Sequence, residues 1–155
     1  MAPLHLVKAK PNHTASLIAD IRKHDRVEWE AGSGLSDPEE ALRHAIIWGD
    51  SWSVLDNEAR CLAIWGVSNT SDPLVGNAWM LATNSAARQL HAMHRLFKDG
   101  IGRMHVTYPT LTAWSYSKNI LHHRWMLRMG FEDTGREMIL QAHSTATFKL
   151  FTRRA

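Results

Sequence analysis

Asp25 and Glu28 stand at i and i+3. On a helix that spacing puts two carboxylates on one face, where they could order a substrate amine or take a proton from it. They could equally be solvated acids or partner contacts. His122 and Arg124 lie just after Asn119, and an imidazole there could serve as acid or base near neutral pH. A hydrogen-bonded structural histidine fits the same pattern. Thr83, Asn84, Ser85 and Arg88 form a run of small polar residues and one cation where a helix is expected to start. Free N–H groups at such a start could hold phosphate, or the run could simply cap the helix. His91 and His94 share a helical face but have no cysteine or acid spaced as a third ligand, so no metal is expected. Cys61 sits in an apolar strand and reads as core rather than nucleophile.

The stretch that must position most of these groups runs from Thr110 to Phe131. Leu111, Ala113, Ser115 and Ser117 alternate with Trp114 and Tyr116, a strand pattern. At Asn119 the period changes, and Leu121, Trp125, Met126 and Met129 recur at helical spacing up to Gly130, a natural left-handed stop. Phe131 restarts a strand. A strand handing over to a helix exposes backbone groups at its C-terminal end, where open α/β sheets hold ligands.

Elsewhere the chain predicts a strand around Leu4–Lys8, then a helix from Asn12 or Thr14 to about Ala31, stopped by Gly32 and Gly34. Asp37-Pro38-Glu39-Glu40 is a strong start for a second helix, ending at Gly49. Strands follow through Trp52 and Val54, from Arg60 to Val67, and from Leu74 to Thr83. Leu90, Met93, Phe97, Ile101, Met104 and Tyr108 then form one apolar face. They predict a helix from Ser85 to about Thr107, bent or broken near Gly100. Two closing strands are expected at Glu137–Gln141 and Thr147–Thr152, with His143, Ser144 and Thr145 at their turn. The resulting order is β-α-α-β-β-β-α-β-α-β-β.

At 155 residues the chain fits one domain, and 45% hydrophobic content supports a real core. No apolar run approaches a membrane span of about 18 residues. One cysteine excludes an internal disulfide and points to an intracellular setting. The net charge of +3 is spread along the chain. It makes nucleic acid an unfavoured partner, although Arg88, Arg95, Lys98 and Arg103 share the long helix. Seven Trp is high for this length and suggests that some bury against a partner.

An Asn at a strand's end, a short helix and then Gly-Phe opening a strand resembles the second half of the GNAT (N-acetyltransferase) fold. Asn119, Arg124, Trp125, Met126, Gly130 and Phe131 carry it. Asp25, Glu28 and Gly32, the Gly-containing strand Cys61–Val67, and Trp79 with Thr83 add to it. Together they resemble one branch in particular: small GNAT-like proteins from the structural gene blocks of tailed, mostly short-tailed, bacteriophages. The resemblance implies an α/β (α+β) fold. A central mixed, mostly antiparallel twisted sheet of six or seven strands would be flanked by about four helices.

It also implies a candidate acetyl-CoA or CoA site at Thr83, Asn84, Ser85, Arg88, Asn119 and Arg124, with Asn119 on the pantetheine arm. His122, Glu28 and Asp25 are the catalytic candidates. Three parts of a working GNAT site are altered here. The pyrophosphate cradle has no glycine, the strand from Gly76 to Ala82 has no Glu base, and Met126 takes the place of a proton-donating Tyr. The expectation is therefore a phage-encoded GNAT-fold protein with a degraded acyl-CoA site, resident in the virion or the host cytoplasm. It would act as a structural or accessory component through contacts with other virion proteins or itself. The alternative is an acetyl-CoA-dependent N-acyltransferase with an atypical pyrophosphate loop.

Overall fold

The structure is a computed structural model and describes residues 3–34, 37–142 and 144–155. It opens with β1 (His5–Lys8) and a 3-10 turn (Pro11–His13), followed by α1 (Thr14–Ala19), α2 (Lys23–Ser33) and α3 (Pro38–Trp48). A meander of β2 (Asp50–Leu55), β3 (Cys61–Asn69) and β4 (Val75–Ala82) leads to the short α4 (Asn84–Ala87) and the long α5 (Leu90–Thr107). Then come β5 (Thr110–Tyr116), α6 (Ile120–Arg128), β6 (Glu132–Ile139) and β7 (Thr147–Arg154).

The strands form one seven-stranded sheet in the order β1-β2-β3-β4-β5-β7-β6. Among the described residues every pairing is antiparallel except that of β4 with β5. That parallel pairing is brief. It joins Val75–Asn77 to Thr110–Thr112 and then stops, although β4 continues to Ala82 and β5 to Tyr116. The two strands therefore part in a wedge whose vertex is Asn77 opposite Thr112. The mixed α/β architecture is as the sequence predicts.

Two apolar layers hold the sheet. On one face Met93, Phe97, Ile101 and Met104 of α5 and Met126 of α6 pack on Trp65, Leu111 and Phe151. On the other, Leu17 of α1 and Leu42 and Ile46 of α3 pack on Ile64 and Leu81. α3 starts as its sequence dictates: the Asp37 side chain accepts from the Glu39 and Glu40 N–H groups, with Pro38 in the first turn.

The first predicted helix is instead two. It breaks at Asp20–Arg22 because that segment bonds to the end of β4. Ile21 bridges Thr83, Arg22 N–H donates to Ala82 O (3.1 Å), and Asn84 N–H donates to Asp20 O (3.0 Å). Gly32 lies within α2, and Gly34 ends it in the left-handed region at φ +70°.

The long helix also breaks elsewhere than expected, at Arg88–Gln89, and α5 runs unbroken through Gly100. Gly100 is needed for packing, since a Cβ there would lie 2.2 Å from the Trp65 indole nitrogen. β6 begins at Glu132 and ends at Ile139 rather than spanning Glu137–Gln141. It is an exposed edge strand. Gly135 at φ +77° and a register shift between Asp133 and Glu137 disrupt the alternation that sequence reading relies on. Of the expected final turn, His143 lies outside the described residues.

Candidate functional site

Where β4 and β5 part, neither strand can complete the other's ladder, and buried backbone donors need other partners. α2 lies across the gap and supplies them. Asp25 Oδ2 accepts the Ala82 N–H of β4 at 2.8 Å, and Glu28 Oε1 accepts the Tyr116 N–H of β5. The i, i+3 spacing seen in sequence thus reaches both edges of the wedge with one helical face.

Asp25 is 2% exposed and also takes a forked pair of bonds from Arg22, at 2.9 and 3.1 Å. Burial pushes its carboxyl above the ordinary range, against the pull of Arg22 and the Ala82 N–H. Its oxygens are engaged by the Ala82 N–H and by Arg22.

Glu28 meets His122 of α6 through the gap, with Nδ1 3.1 Å from Oε2. Ser115 Oγ lies 3.0 Å from the same Nδ1. Burial alone would raise the Glu28 carboxyl. The charge and hydrogen bond of His122, with the hydroxyl of Ser115 and the Tyr116 N–H, outweigh it and hold the carboxyl low. Burial likewise works to lower the imidazole, but Glu28's charge and hydrogen bond win and raise it. Each group thus favours the charged form of the other across the gap. Because Glu28 and Ser115 both converge on Nδ1, the group is no Ser-His-acid hydrolase triad, which needs opposite ring nitrogens.

The gap opens into a cavity of about 260 Å³ that passes through the sheet. Glu28, Trp29 and Gly32 of α2 line one side, and Phe97 of α5 with His122 and Trp125 of α6 line the other. Two glycines shape its walls. A Cβ at Gly66 would come within 2.5 Å of the Trp79 ring, and Gly100 clears Trp65 as described.

The donors of the run expected to hold phosphate are bonded within the chain. Asp20 sits against it: its Oδ2 accepts from Ser85 N–H (3.1 Å) and Ser85 Oγ (2.7 Å), and its Oδ1 from the Asn84 side chain. Asn84 N–H goes to Asp20 O, and Ala86 N–H goes to the Thr83 hydroxyl. The hydrogen bond from Ser85 holds Asp20 below the usual carboxylate range, so it is an anion near neutral pH. Thr83 is buried and also donates to Leu62 O. Arg88 donates to Ser85 Oγ rather than facing an open loop.

Asn119 caps α6 by accepting the His122 N–H at 3.3 Å. Its Nδ2 is buried with no hydrogen-bond partner among the described residues. Arg124 is exposed on α6 and does not line the cavity. The structure thus brings Asp25, Glu28 and His122 together, gathers Thr83, Asn84, Ser85 and Arg88 at the turn after β4, and leaves Asn119 and Arg124 apart on α6. Cys61 is buried and its thiol is pushed up to about 12 by burial, in keeping with core packing. Among the described residues no three His, Cys, Asp or Glu gather as a metal site, and no helix is long and apolar enough to cross a membrane.

Sequence reading missed Asp20, Ser115 and Asn77. Asp20 looks like any helical acid until the chain folds back on β4. Ser115 was visible only as a small residue on a strand face. An Asn inside an apolar strand was the one signal for Asn77.

No family model matches the sequence, and neither does any curated protein. Solved structures do match in fold. A protein described as an acetyltransferase from Acinetobacter baylyi superposes with TM-score 0.75 at 9% identity, over 100% of this chain and 94% of that one. A GCN5-related N-acetyltransferase from Kribbella flavida gives 0.66 at 15% identity, over 98% of both chains. A GNAT family acetyltransferase from Elizabethkingia anophelis, solved with acetyl-CoA bound, gives 0.64 at 10% identity, again over 98% of both. At these identities the likeness establishes the GNAT fold.

Proposed function

We propose that this GNAT-fold chain has lost the grip on acyl-CoA and works through protein–protein contacts, as a structural or accessory component of a phage particle. One observation carries the reading: Asp20 occupies the turn where a pyrophosphate would sit. The N–H groups of Asn84, Ser85 and Ala86 are already bonded, and a second anion would meet a carboxylate there. Met126, buried in the cavity wall, offers no proton to a leaving thiolate.

Exposed apolar side chains support the role in contacts. Ile47 and Trp48 precede β2, Leu74 precedes β4 and Val106 lies just ahead of β5, with Trp48 79% and Val106 86% exposed. The register of β2, β3, β4 and β5 puts these positions at one end of the sheet, a natural seat for a partner. The phage setting rests on the motifs that resemble phage GNAT-like proteins.

A second reading is favoured by a different observation. The Glu28–His122 pair borders a cavity at the strand wedge, which suits an N-acyltransferase with an unusual cofactor grip. Calorimetric titration and thermal shift with CoA and acetyl-CoA separate the two. The first reading expects no heat and no stabilisation at millimolar ligand. Saturable binding, worth about 2.7 kcal/mol of stability at a hundredfold excess over Kd, would replace it with the second. Mass spectrometry of purified particles tests the virion assignment, which fails if the chain is absent.

A further inference from the structure

We infer that the outward side of α5 and α6 is a docking surface for a membrane rich in anionic lipid, held at the interface without spanning it. The inference stands apart from the role proposed above and from any acyl-CoA chemistry.

The two helices share one side of the sheet. Phe97 of α5 and Trp125 of α6 meet with ring centroids 4.9 Å apart, and Met93, Phe97, Met104 and Met126 are buried in one layer against the sheet. The opposite sides of both helices therefore face away from the sheet, next to each other. Residues 90–128 hold six cations, Arg95, Lys98, Arg103, Lys118, Arg124 and Arg128, and one acid, Asp99. All seven are exposed. Six cations less one acid leave five positive charges here, while the rest of the chain, with twelve Lys or Arg and fourteen Asp or Glu, is net negative. The fold thus segregates a charge that is small and spread along the sequence.

These cations are also unspent. Among the described residues none of the six forms an ion pair, whereas Lys8, Arg22, Arg26, Arg43, Arg60 and Lys149, all elsewhere, are each paired with an acid. A surface of one sign without internal partners keeps its attraction for an outside anion.

Aliphatic side chains stand among them. At 3.6 residues per turn, Ile120, Arg124, Leu127 and Arg128 fall on one outward arc of α6 with Leu121 at its border, away from the buried His123 and Met126. Ile120, Leu121 and Leu127 are each more than half exposed. None of these residues lines the cavity at the wedge.

The two features together select the occupant. A nucleic acid would use the cations, but its phosphates give exposed Leu and Ile nothing to bury against. A protein interface buries aliphatic side chains, but its core is depleted of charge. An anionic leaflet takes both: its headgroups meet the Arg and Lys, and Ile120, Leu121 and Leu127 reach the acyl boundary. Among the described residues no helix is long and apolar enough to cross a membrane, so the contact is peripheral.

The test is co-sedimentation of the full chain with vesicles of phosphatidylcholine alone or mixed with phosphatidylglycerol. The expected result is binding to the mixed vesicles that weakens as salt rises from about 0.05 to 0.5 M, with little binding to the neutral ones. Arg124→Gln with Arg128→Gln should weaken binding about 25-fold, about fivefold per cation. Leu121→Ser with Leu127→Ser should weaken it about tenfold. Arg43→Gln, on the other side of the sheet, should leave it unchanged. Equal binding to both vesicles, or none at millimolar lipid, overturns the inference. Displacement from the vesicles by a short DNA duplex at equal phosphate concentration also overturns it and assigns the surface to nucleic acid. Binding that survives the leucine changes overturns it too, since charge alone would then explain the contact. The vesicle and DNA comparisons need no variant, so a misfolded variant would not spare it.

Discussion

The two strands that part at the wedge are finished in opposite ways. At the end of β4 every nearby donor is spoken for. Ala82 gives its N–H to Asp25 and takes one from Arg22, while Asn84 and Ser85 give theirs to Asp20. The end of β5 is also paired, with Asn119 N–H and His123 on Tyr116 O, but through different groups. Glu28 takes the Tyr116 N–H, but the same carboxylate also meets His122 beside the cavity, and Asn119 keeps an unpaired amide nitrogen. The lesson is that similar residues, acids on one short run of chain, can serve one strand end alone and at the other also join a helix across a cavity. What differs is whether their partners are backbone donors, an arginine, an amide and a hydroxyl, or include an imidazole ring.

The sharpest way to break this contrast is Asp25→Ala. It leaves the Ala82 N–H and Arg22 without a buried partner. Chemical denaturation should show a loss of about 3–5 kcal/mol, as for other broken buried ion pairs. A loss below 1 kcal/mol would mean that the β4 end is not locked.

On the β5 side, His122→Gln should cost about 1.5–3 kcal/mol, the range for a hydrogen bond to a charged group. That cost should depend on pH. His122's folded value is raised above 6.5, so its contribution is full below pH 6.5 and is lost as pH rises through the folded value. Glu28's folded value lies below 4.5, so its contribution is present above pH 4.5 and is lost as pH falls through the folded value. Comparing the two proteins at pH 5.5 and pH 8.5 should give the larger difference at pH 5.5. Equal differences would show that the pair is not ionised.

The cavity wall offers a smaller test. Helix propensity alone says that Ala at either Gly100 or Gly102 gains about 0.5–1 kcal/mol. Gly102 has open space where its Cβ would go, so Gly102→Ala should show that gain. Gly100→Ala would drive into Trp65 and should instead lose about 1–3 kcal/mol. Thermal melts of the two variants should move in opposite directions.

Last, Asp20→Ala removes acceptors from the turn after β4. It should cost about 1 kcal/mol, a typical capping loss, without creating affinity for CoA, since the turn still has no glycine and α4 is a single turn. Micromolar CoA binding by this variant would show that Asp20 alone closes the site.

Much of the fold was legible because local rules and tertiary packing agreed. Asp37-Pro38 started α3, Asn119 capped α6, and Gly130 ended that helix at φ +88°. Where they disagreed, the structure departed from the pattern. Periodicity carried the first helix through Asp20–Arg22, but bonds to a strand about 60 residues away in sequence broke it. Gly100 looked like a weak point and is a packing requirement, which only the position of Trp65 reveals. Of the candidate site, the i, i+3 acids and His122 were visible, but their meeting across the wedge was not.

The sequence by itself determined the succession of strands, the strand-to-helix unit from Thr110 to Phe131 and the absence of glycine at the phosphate turn, because caps, periodicity and residue type act over a few neighbours. Only the tertiary structure decided that Asp20 fills that turn, that Asp25 and Glu28 reach different strands, and that Trp29 and Asn77 share a cavity. Those pairings depend on where β4 and β5 stop bonding each other. No local pattern encodes that point, because it is set by how two distant segments of chain complete the donors that the parting strands leave open.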